Sequence, residues 1–99
     1  MIEVSYSKRK IEIKGHANYA PKGNDIVCAA VSSLLTTAIN SLKGFKKSEI
    51  RIKGGEATID IKHKVDRDDQ TRLEMLITGL KLISKKYPKY IKIKEKKLL

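Results

Sequence analysis

Five short segments of this chain alternate apolar and polar residues, which is the pattern of β-strands with one buried face. Two longer segments lie between them and repeat with a helical period. The resulting order, β-β-α-β-β-α-β, predicts an α+β domain with a single mixed sheet and two helices packed on it. The apolar positions of the five strands are Ile2, Val4 and Tyr6; Ile11 and Ile13; Ile50 and Ile52; Ala57, Ile59 and Ile61; and Ile91 and Ile93.

The two helical segments differ in how much of their surface is apolar. Residues 25–43 are apolar on more than one face, which predicts a mostly buried helix with Gly44 as its C-cap. The second segment begins at the N-cap Asp66, carries a single apolar stripe and ends before Pro88. This stripe consists of Leu73, Leu76, Leu80, Ile83 and Tyr87.

Turn residues complete the predicted topology. Lys8-Arg9 separates the first two strands, and Gly54-Gly55 is a two-residue hairpin signal between the third and the fourth. Residues 95–99 are expected to fray. The chain of 99 residues is long enough for one core but not for two, so residues 1–99 are interpreted as a single domain.

The chain is strongly basic, with 22 Lys and Arg against 11 Asp and Glu and a net charge of +11. Eight lysines and a single glutamate lie in residues 81–99. A lysine-rich end of this kind favours contact with a polyanion such as ribosomal RNA. A solvated surface with a lysine bias explains the same composition without a partner, so both interpretations stay open.

Composition also bears on compartment and cofactors. No run of ~18 apolar residues is present, and residues 1–6 have the pattern of a strand rather than a signal peptide, so no membrane contact is predicted. Cys28 is the only cysteine, which fits a reducing, cytoplasmic compartment. One cysteine and two widely spaced histidines do not form the usual four-ligand zinc set, so neither a metal nor a cofactor is predicted.

Cys28 falls in the first turn of the first predicted helix. Pro21 and Gly23 mark a loop before it, and Asn24 and Asp25 are typical helix caps. The positive end of a helix and its free N–H groups favour a thiolate there, and the same amides are candidates for an oxyanion hole. A lone cysteine is more commonly a buried apolar side chain, and its neighbours also fit that interpretation.

His16 is the candidate general base for this thiol. It ends the second strand, and a loop that folds back would bring the end of that strand beside the start of the helix. His16 would then take the thiol proton and later return it to a leaving amine. Asp25 is expected to cap the helix and to orient His16 or the loop, and Ser32, one turn after Cys28, to hydrogen-bond the thiol or a carbonyl. His63 is interpreted as a surface residue.

The segment around Cys28 resembles the family of ribosomal-processing cysteine proteases called Prp. The matching motif is Gly-His-Ala at residues 15–17, followed by Gly-Asn-Asp-Ile-Val-Cys-Ala-Ala-Val-Ser at residues 23–32. The resemblance implies a homodimeric, cytoplasmic endopeptidase that removes a short N-terminal extension from the bacterial large-subunit ribosomal protein twenty-seven. It also implies Cys28 as nucleophile, His16 as base, residues 17–24 as a mobile flap with Gly23 permitting its motion, and Asp25 as a residue that shapes the site.

Two other functions remain open from the residues alone. A non-enzymatic module that binds RNA or the ribosome fits the charge and predicts salt-sensitive binding that survives Cys28→Ala. The few aromatic residues do not form the clustered pattern of base-stacking sheets; they are Tyr6, Tyr19, Phe45, Tyr87 and Tyr90. A redox-sensing thiol fits Cys28 as well, but it does not need His16.

Overall fold

The computed structural model describes residues 1–96, which form one five-stranded sheet with two helices on it. The strand order is β3-β4-β2-β1-β5, where β5 runs parallel to β1 and all other neighbours are antiparallel. The predicted fold class and element order are therefore confirmed. The elements are β1 (Ile2–Tyr6), β2 (Lys10–Lys14), α1 (Ile26–Ser41), a 3₁₀ turn (Lys47–Glu49), β3 (Ile50–Lys53), β4 (Glu56–Asp60), α2 (Arg67–Lys86) and β5 (Ile91–Glu95).

The register of the strands gathers their apolar side chains on one face. Val4 lies opposite Ile13 in the β1–β2 pair, and Ile11 lies opposite Ile59 in the β2–β4 pair. Because side chains alternate between the two faces of a sheet, these matches place one continuous apolar surface beneath the helices. The buried hydrophobic residues of the strands are Ile2, Val4, Ile11, Ile13, Ala57, Ile59 and Ile91.

Helix α1 buries one stripe only, in contrast to the mostly buried helix that its composition predicts. Val27, Val31, Leu35 and Ala38 face the sheet. The exposed residues of α1 are uncharged and, apart from Ile26 and Asn40, are alanine, serine or threonine. Of the apolar positions outside the stripe, Leu34 and Ile39 are only partly buried against the core and Ile26 is 52% exposed, so the apolar composition overstates the burial.

The predicted C-cap of α1 is also wrong. The helix ends at Ser41, and Leu42 is the C-cap, with φ −66° and ψ 136°. The backbone N–H groups of Lys43 and Gly44 donate to the Asp69 carboxylate at 3.0 and 2.8 Å. This tie to α2 draws the chain away from the helix axis before it reaches the glycine.

Helix α2 follows its prediction closely. Asp66 is the N-cap and accepts a hydrogen bond from Asp69 N at 2.8 Å, and Leu73, Leu76 and Leu80 are buried. Gly79 lets α1 approach, since a Cβ atom there would lie 2.8 Å from a methyl group of Leu34. Neither helix of residues 1–96 has the length and apolarity needed to cross a membrane.

The last strand is longer than the sequence indicates. Glu95 is still part of β5 and pairs with Tyr6 of β1, and Lys96 N donates to Tyr6 O at 2.7 Å. The fraying expected from residue 95 therefore does not begin there, and residues 97–99 of that prediction lie outside the described residues. At the other end of the sheet, Gly15 N donates to Gly55 O at 3.0 Å, which ties the end of β2 to the β3–β4 turn.

Candidate active site

The start of α1 is fixed by a single carboxylate. Asp25 is the N-cap, as predicted, and its Oδ1 accepts hydrogen bonds from Val27 N and Cys28 N, both at 3.0 Å. Cys28 is therefore the third residue of the helix, and its side chain is half-buried. The capping interaction thus holds the backbone of the candidate nucleophile directly.

The second oxygen of Asp25 reaches into the loop. Oδ2 accepts a hydrogen bond from Tyr19 N at 3.0 Å. The backbone N–H of Cys28 lowers the pKa of this carboxyl most, burial opposes the shift, and the amides of Tyr19 and Ala20 lower it further. Asp25 therefore stays ionised near neutral pH and joins the loop to the helix that carries the thiol.

The oxyanion hole expected in the first turn of α1 is not open in this structure. The N–H groups of Val27 and Cys28 are both bonded to Asp25 Oδ1, and Ala29 N donates to the Asp25 carbonyl at 3.0 Å. The capping carboxylate thus satisfies these donors. Ala17 N instead lies 3.3 Å from Cys28 Sγ, in hydrogen-bond contact with the sulfur.

The loop returns to the helix as the sequence suggests. Ala17 is 2% exposed and directly follows His16, so its contact with Cys28 places the end of β2 beside the start of α1. A backbone donor at this position stabilises negative charge that develops on sulfur. The fold thus supplies the thiol with a fixed donor from outside its own helix.

His16 and Cys28 open onto the same cleft, which has a volume of about 290 Å³. The imidazole lies against Gly55, where a Cβ atom would be only 2.9 Å from His16 Nε2. Within residues 1–96 no hydrogen bond joins His16 to Cys28. Such contacts are commonly loose in unliganded enzymes and tighten when substrate binds.

The two remaining predicted site residues occupy different places. Ser32 lines the cleft of Cys28 but is exposed and makes no side-chain hydrogen bond within the described part of the chain. Gly23 is exposed on the loop with φ +94°, and a Cβ atom there would meet nothing within 4 Å. Its backbone conformation, rather than crowding, therefore favours glycine.

Sequence reasoning missed the wall of the cleft opposite α1. Ile52, Gly55 and Glu56 line it, whereas the sequence predicts only a hairpin in this region. The Gly54-Gly55 pair predicts a turn, but it does not predict that this turn lies against His16. That contact depends on the pairing of β4 with β2. Nothing local in the sequence specifies that pairing.

His63 lies at the opposite end of the sheet, beside a larger cleft of about 800 Å³. It is exposed, as predicted, but its Nδ1 lies 2.9 Å from Oε2 of the buried Glu49, and its ring packs edge-on against Phe45. The hydrogen bond from Lys46 N–H lowers the pKa of Glu49 most, and the hydrogen bond with His63 lowers it further.

Residues 1–96 contain no group of three His, Cys, Asp or Glu side chains that could hold a metal ion.

The site combines a half-buried thiol at a helix start, a backbone donor on its sulfur and an imidazole in the same cleft, which are residue types that cysteine-dependent hydrolases use. Residues 1–92 match the sequence profile of the family described as cysteine protease Prp. The chain belongs to this family, which confirms the resemblance seen in its sequence. It is therefore a member of a family of cysteine proteases.

Individual relatives agree over nearly the whole chain. The ribosomal processing cysteine protease Prp of Mycoplasma pneumoniae is 29% identical over 100 residues, covering 98% of this chain and 97% of that protein. The protein of the same name from Mycoplasma genitalium is 31% identical over 98 residues, covering 96% of each. The crystal structure of the essential ribosomal processing protease Prp from S. aureus, in complex with a covalently linked product peptide, matches with a TM-score of 0.85 and 25% identity, covering 97% of this chain and all of that one.

Proposed function

We propose that this protein is a cysteine endopeptidase that removes the N-terminal extension of the bacterial large-subunit ribosomal protein twenty-seven, with Cys28 as nucleophile and His16 as general base. The observation that carries the proposal is the shared cleft of the two side chains, with Ala17 N–H on Cys28 Sγ. The names of the relatives, which describe ribosomal processing, support the substrate class. The covalently linked peptide on the S. aureus relative supports a covalent mechanism.

In this mechanism the sulfur of Cys28 forms a bond to the scissile carbonyl carbon while His16 accepts the thiol proton. The C–N bond then breaks, and His16 returns that proton to the leaving amine. Water, activated by the same imidazole, hydrolyses the thioester and regenerates the thiol. Asp25 keeps the backbone of the nucleophile in place throughout, because it stays bonded to Cys28 N.

The test is mass spectrometry of a peptide that spans the extension junction, incubated with wild-type protein, Cys28→Ala and His16→Ala. His63→Ala is the matched control, since His63 lies beside the other cleft. We expect one cut by the wild type and by His63→Ala, and none by the other two. Cleavage that persists in Cys28→Ala, or no cleavage by folded wild type with a reduced thiol, would contradict the proposal.

The same variants separate the two competing functions. An RNA-binding module would bind RNA in wild type and in Cys28→Ala alike, with an affinity that falls steeply with salt. A redox-sensing thiol would need Cys28 but not His16, so its response would survive His16→Ala. Loss of function in both variants therefore favours the peptidase over either alternative.

We also propose that the lysine-rich end touches ribosomal RNA, which would bring the enzyme to a ribosome-bound substrate in the cytoplasm. No lysine of residues 81–96 takes part in a salt bridge with a residue of the described chain. Lysines without such partners are available to phosphates. Replacing Lys89, Lys92 and Lys94 with glutamine should weaken RNA binding and leave cleavage of the isolated peptide unchanged.

A homodimer is proposed through the outer face of the helices. Helix α1 has no charged residue along its 16 positions in a chain that is 33% charged, and Met75 of α2 is 72% exposed beside it. The uncharged face of α1, together with Met75, suits a second copy of itself. Met75→Glu should convert a dimer into a monomer in analytical ultracentrifugation, and an unchanged mass would contradict this choice of face.

A further inference from the structure

The loop between His16 and Cys28 is docked by aromatic contacts outside the catalytic motif. The ring of Tyr19 lies edge-on to Tyr87, with centroids 5.6 Å apart and an interplanar angle of 81°. It lies edge-on to Tyr90 as well, at 5.1 Å and 77°. Edge-to-face geometry is a preferred arrangement for aromatic pairs. Because Tyr19 remains 40% exposed, this contact holds the loop without making it part of the core.

The two receiving rings stand on a rigid turn. Tyr87 is the C-cap of α2 and its N–H donates to Ile83 O at 2.8 Å. Tyr90 N donates to Tyr87 O at 3.0 Å, and Ile2 N donates to Tyr90 O at 2.8 Å. The turn is thus bonded to both α2 and β1, so Tyr87 and Tyr90 form a fixed platform for the loop.

Three consecutive loop residues connect this platform to the thiol. Ala17 N–H contacts Cys28 Sγ, while Tyr19 N–H donates to Asp25 and its ring meets the platform. Between them Asn18 has φ 55°, the one positive value at a non-glycine residue in residues 1–96. Asparagine adopts this left-handed conformation more readily than other non-glycine residues, but it still carries an energetic cost relative to extended backbone.

We propose that Tyr87 and Tyr90 are positioning residues of the Cys28 site: by docking Tyr19 they hold the Asn18 backbone in its left-handed conformation and thereby keep Ala17 N–H on the sulfur. The inference extends the proposed function to residues far from the catalytic motif. Releasing the Tyr19 ring leaves the Tyr19 N–H bond to Asp25 as the one remaining anchor of this residue within the described chain. Asn18 then samples extended conformations, which move the Ala17 amide away from Cys28. The thiol then loses the one donor that comes from outside its own helix.

Amide hydrogen exchange measured by NMR tests this directly and needs no substrate. In Tyr19→Ala we expect the amides of Ala17 and of residue 19 to exchange about tenfold faster than in wild type. In Tyr90→Leu, which keeps the contact of Tyr19 with Tyr87, we expect a smaller increase at the same two amides. Tyr19→Phe keeps the edge-on ring and should exchange like wild type. Amides of β1 and β2 serve as the reference for global stability.

Two results would overturn the inference. One is unchanged exchange at Ala17 in a folded Tyr19→Ala protein. The other is an equal acceleration at all amides, which would mean that the tyrosines act on overall stability only. Tyr19 lies on an exposed loop, so its alanine variant keeps the test valid where Tyr90→Leu does not fold.

Peptide cleavage gives a second readout. Tyr19→Ala should lower kcat about tenfold, and Tyr90→Leu by a smaller factor because it keeps the contact of Tyr19 with Tyr87. The double variant should lower kcat no further than Tyr19→Ala alone, because both changes act on the same docking contact. Additive losses would contradict a shared platform. If wild type cleaves no peptide, the proposed function fails, while hydrogen exchange still decides whether the platform positions Ala17.

Discussion

Both helices begin with an aspartate N-cap, yet the third residue of each helix has the opposite role. In α2 that residue is Asp69, whose own N–H is capped by Asp66 and whose carboxylate is 1% exposed. In α1 it is Cys28, whose N–H is capped by Asp25 and whose thiol is half-buried at a cleft. The same local geometry thus supports a structural anchor in one helix and a candidate nucleophile in the other.

What differs is what surrounds the side chain. Asp69 accepts hydrogen bonds from two backbone amides after α1 and lies 2.7 Å from the guanidinium of Arg72. Cys28 accepts one N–H, and the first turn of α1 contains no acidic residue. The positive end of α1 is met by the N-cap carboxylate of Asp25, and Cys28 Sγ is left with the single donor Ala17 N–H.

The largest expected effect is on stability at the α2 position. Asp69→Asn turns an amide NH₂ toward the Lys43 and Gly44 N–H groups and removes the charge beside Arg72, so the free energy of unfolding should fall by about 3 kcal/mol. Cys28→Ser should change it by less than about 1 kcal/mol. Chemical denaturation followed by circular dichroism measures both. Equal losses would mean that the two positions do not differ as described.

The next effect tests a feature that the α1 position has and the α2 position lacks, which is an imidazole in the same cleft. Gly54 and Gly55 both have positive φ, at 42° and 80°, so alanine strains the turn in either place. Only at Gly55 would the new Cβ meet His16. Gly55→Ala should therefore lower kcat/KM about tenfold or more relative to Gly54→Ala, since small misplacements of a catalytic group are costly. Equal kcat/KM values for Gly55→Ala and Gly54→Ala would show that Gly55 has no role in placing His16.

Acid sensitivity sharpens the comparison at the α2 end. Burial raises the pKa of Asp69, but the amides of Lys43 and Gly44 and the Arg72 guanidinium outweigh it, so the pKa is lowered. The carboxylate therefore stabilises the fold above its unfolded pKa of about 3.9, and this contribution is lost as pH falls through the lower folded value. Thermal unfolding between about pH 2 and 6 should show a steeper acid decline in wild type than in Asp69→Asn. Parallel curves would contradict this role.

The smallest effect concerns the cap of α1. Asn in place of Asp25 keeps an oxygen for Val27 N and Cys28 N but turns an NH₂ toward Tyr19 N. Helix content should therefore stay unchanged, while the Tyr19 amide exchanges faster and cleavage falls by about fivefold. Circular dichroism, hydrogen exchange and the peptide assay measure the three quantities. A loss of helix content instead would show that the charge is needed for the cap itself.

Local chemistry made much of this fold predictable. Alternating isoleucines specify the strands, and Asp25 and Asp66 mark the helix starts because a carboxylate at the N-cap satisfies free N–H groups wherever the helix lies. The prediction of Gly44 as the C-cap of α1 was wrong because the end of that helix depends on a contact with a distant residue. Gly44 has the residue type of a C-cap, but its N–H is drawn to Asp69, and only the packing of α1 on α2 brings the two together.

The candidate site also has some features that the local sequence predicts and others that depend on distant contacts. The helix start and the loop could be predicted from Pro21, Gly23 and Asp25, and the shared cleft of Cys28 and His16 from a loop that folds back between them. The wall at Gly55 and the tyrosine platform could not, because both depend on strand order and on contacts between distant segments. Tyr87 fits an apolar stripe of α2 equally well whether or not a loop rests on it.

The parallel pairing of β5 with β1 has a consequence for the timing of synthesis. Ile2 lies opposite Ile91, so the neighbour of the first strand is the last described strand to be made. Contacts between such distant residues close a long loop, which slows their formation during folding. A nascent chain that ends before residue 87 already has Cys28 and His16, but it lacks the platform and one neighbour of β1. The surroundings proposed to position the thiol are therefore complete only after Tyr87, Tyr90 and β5 have been synthesised.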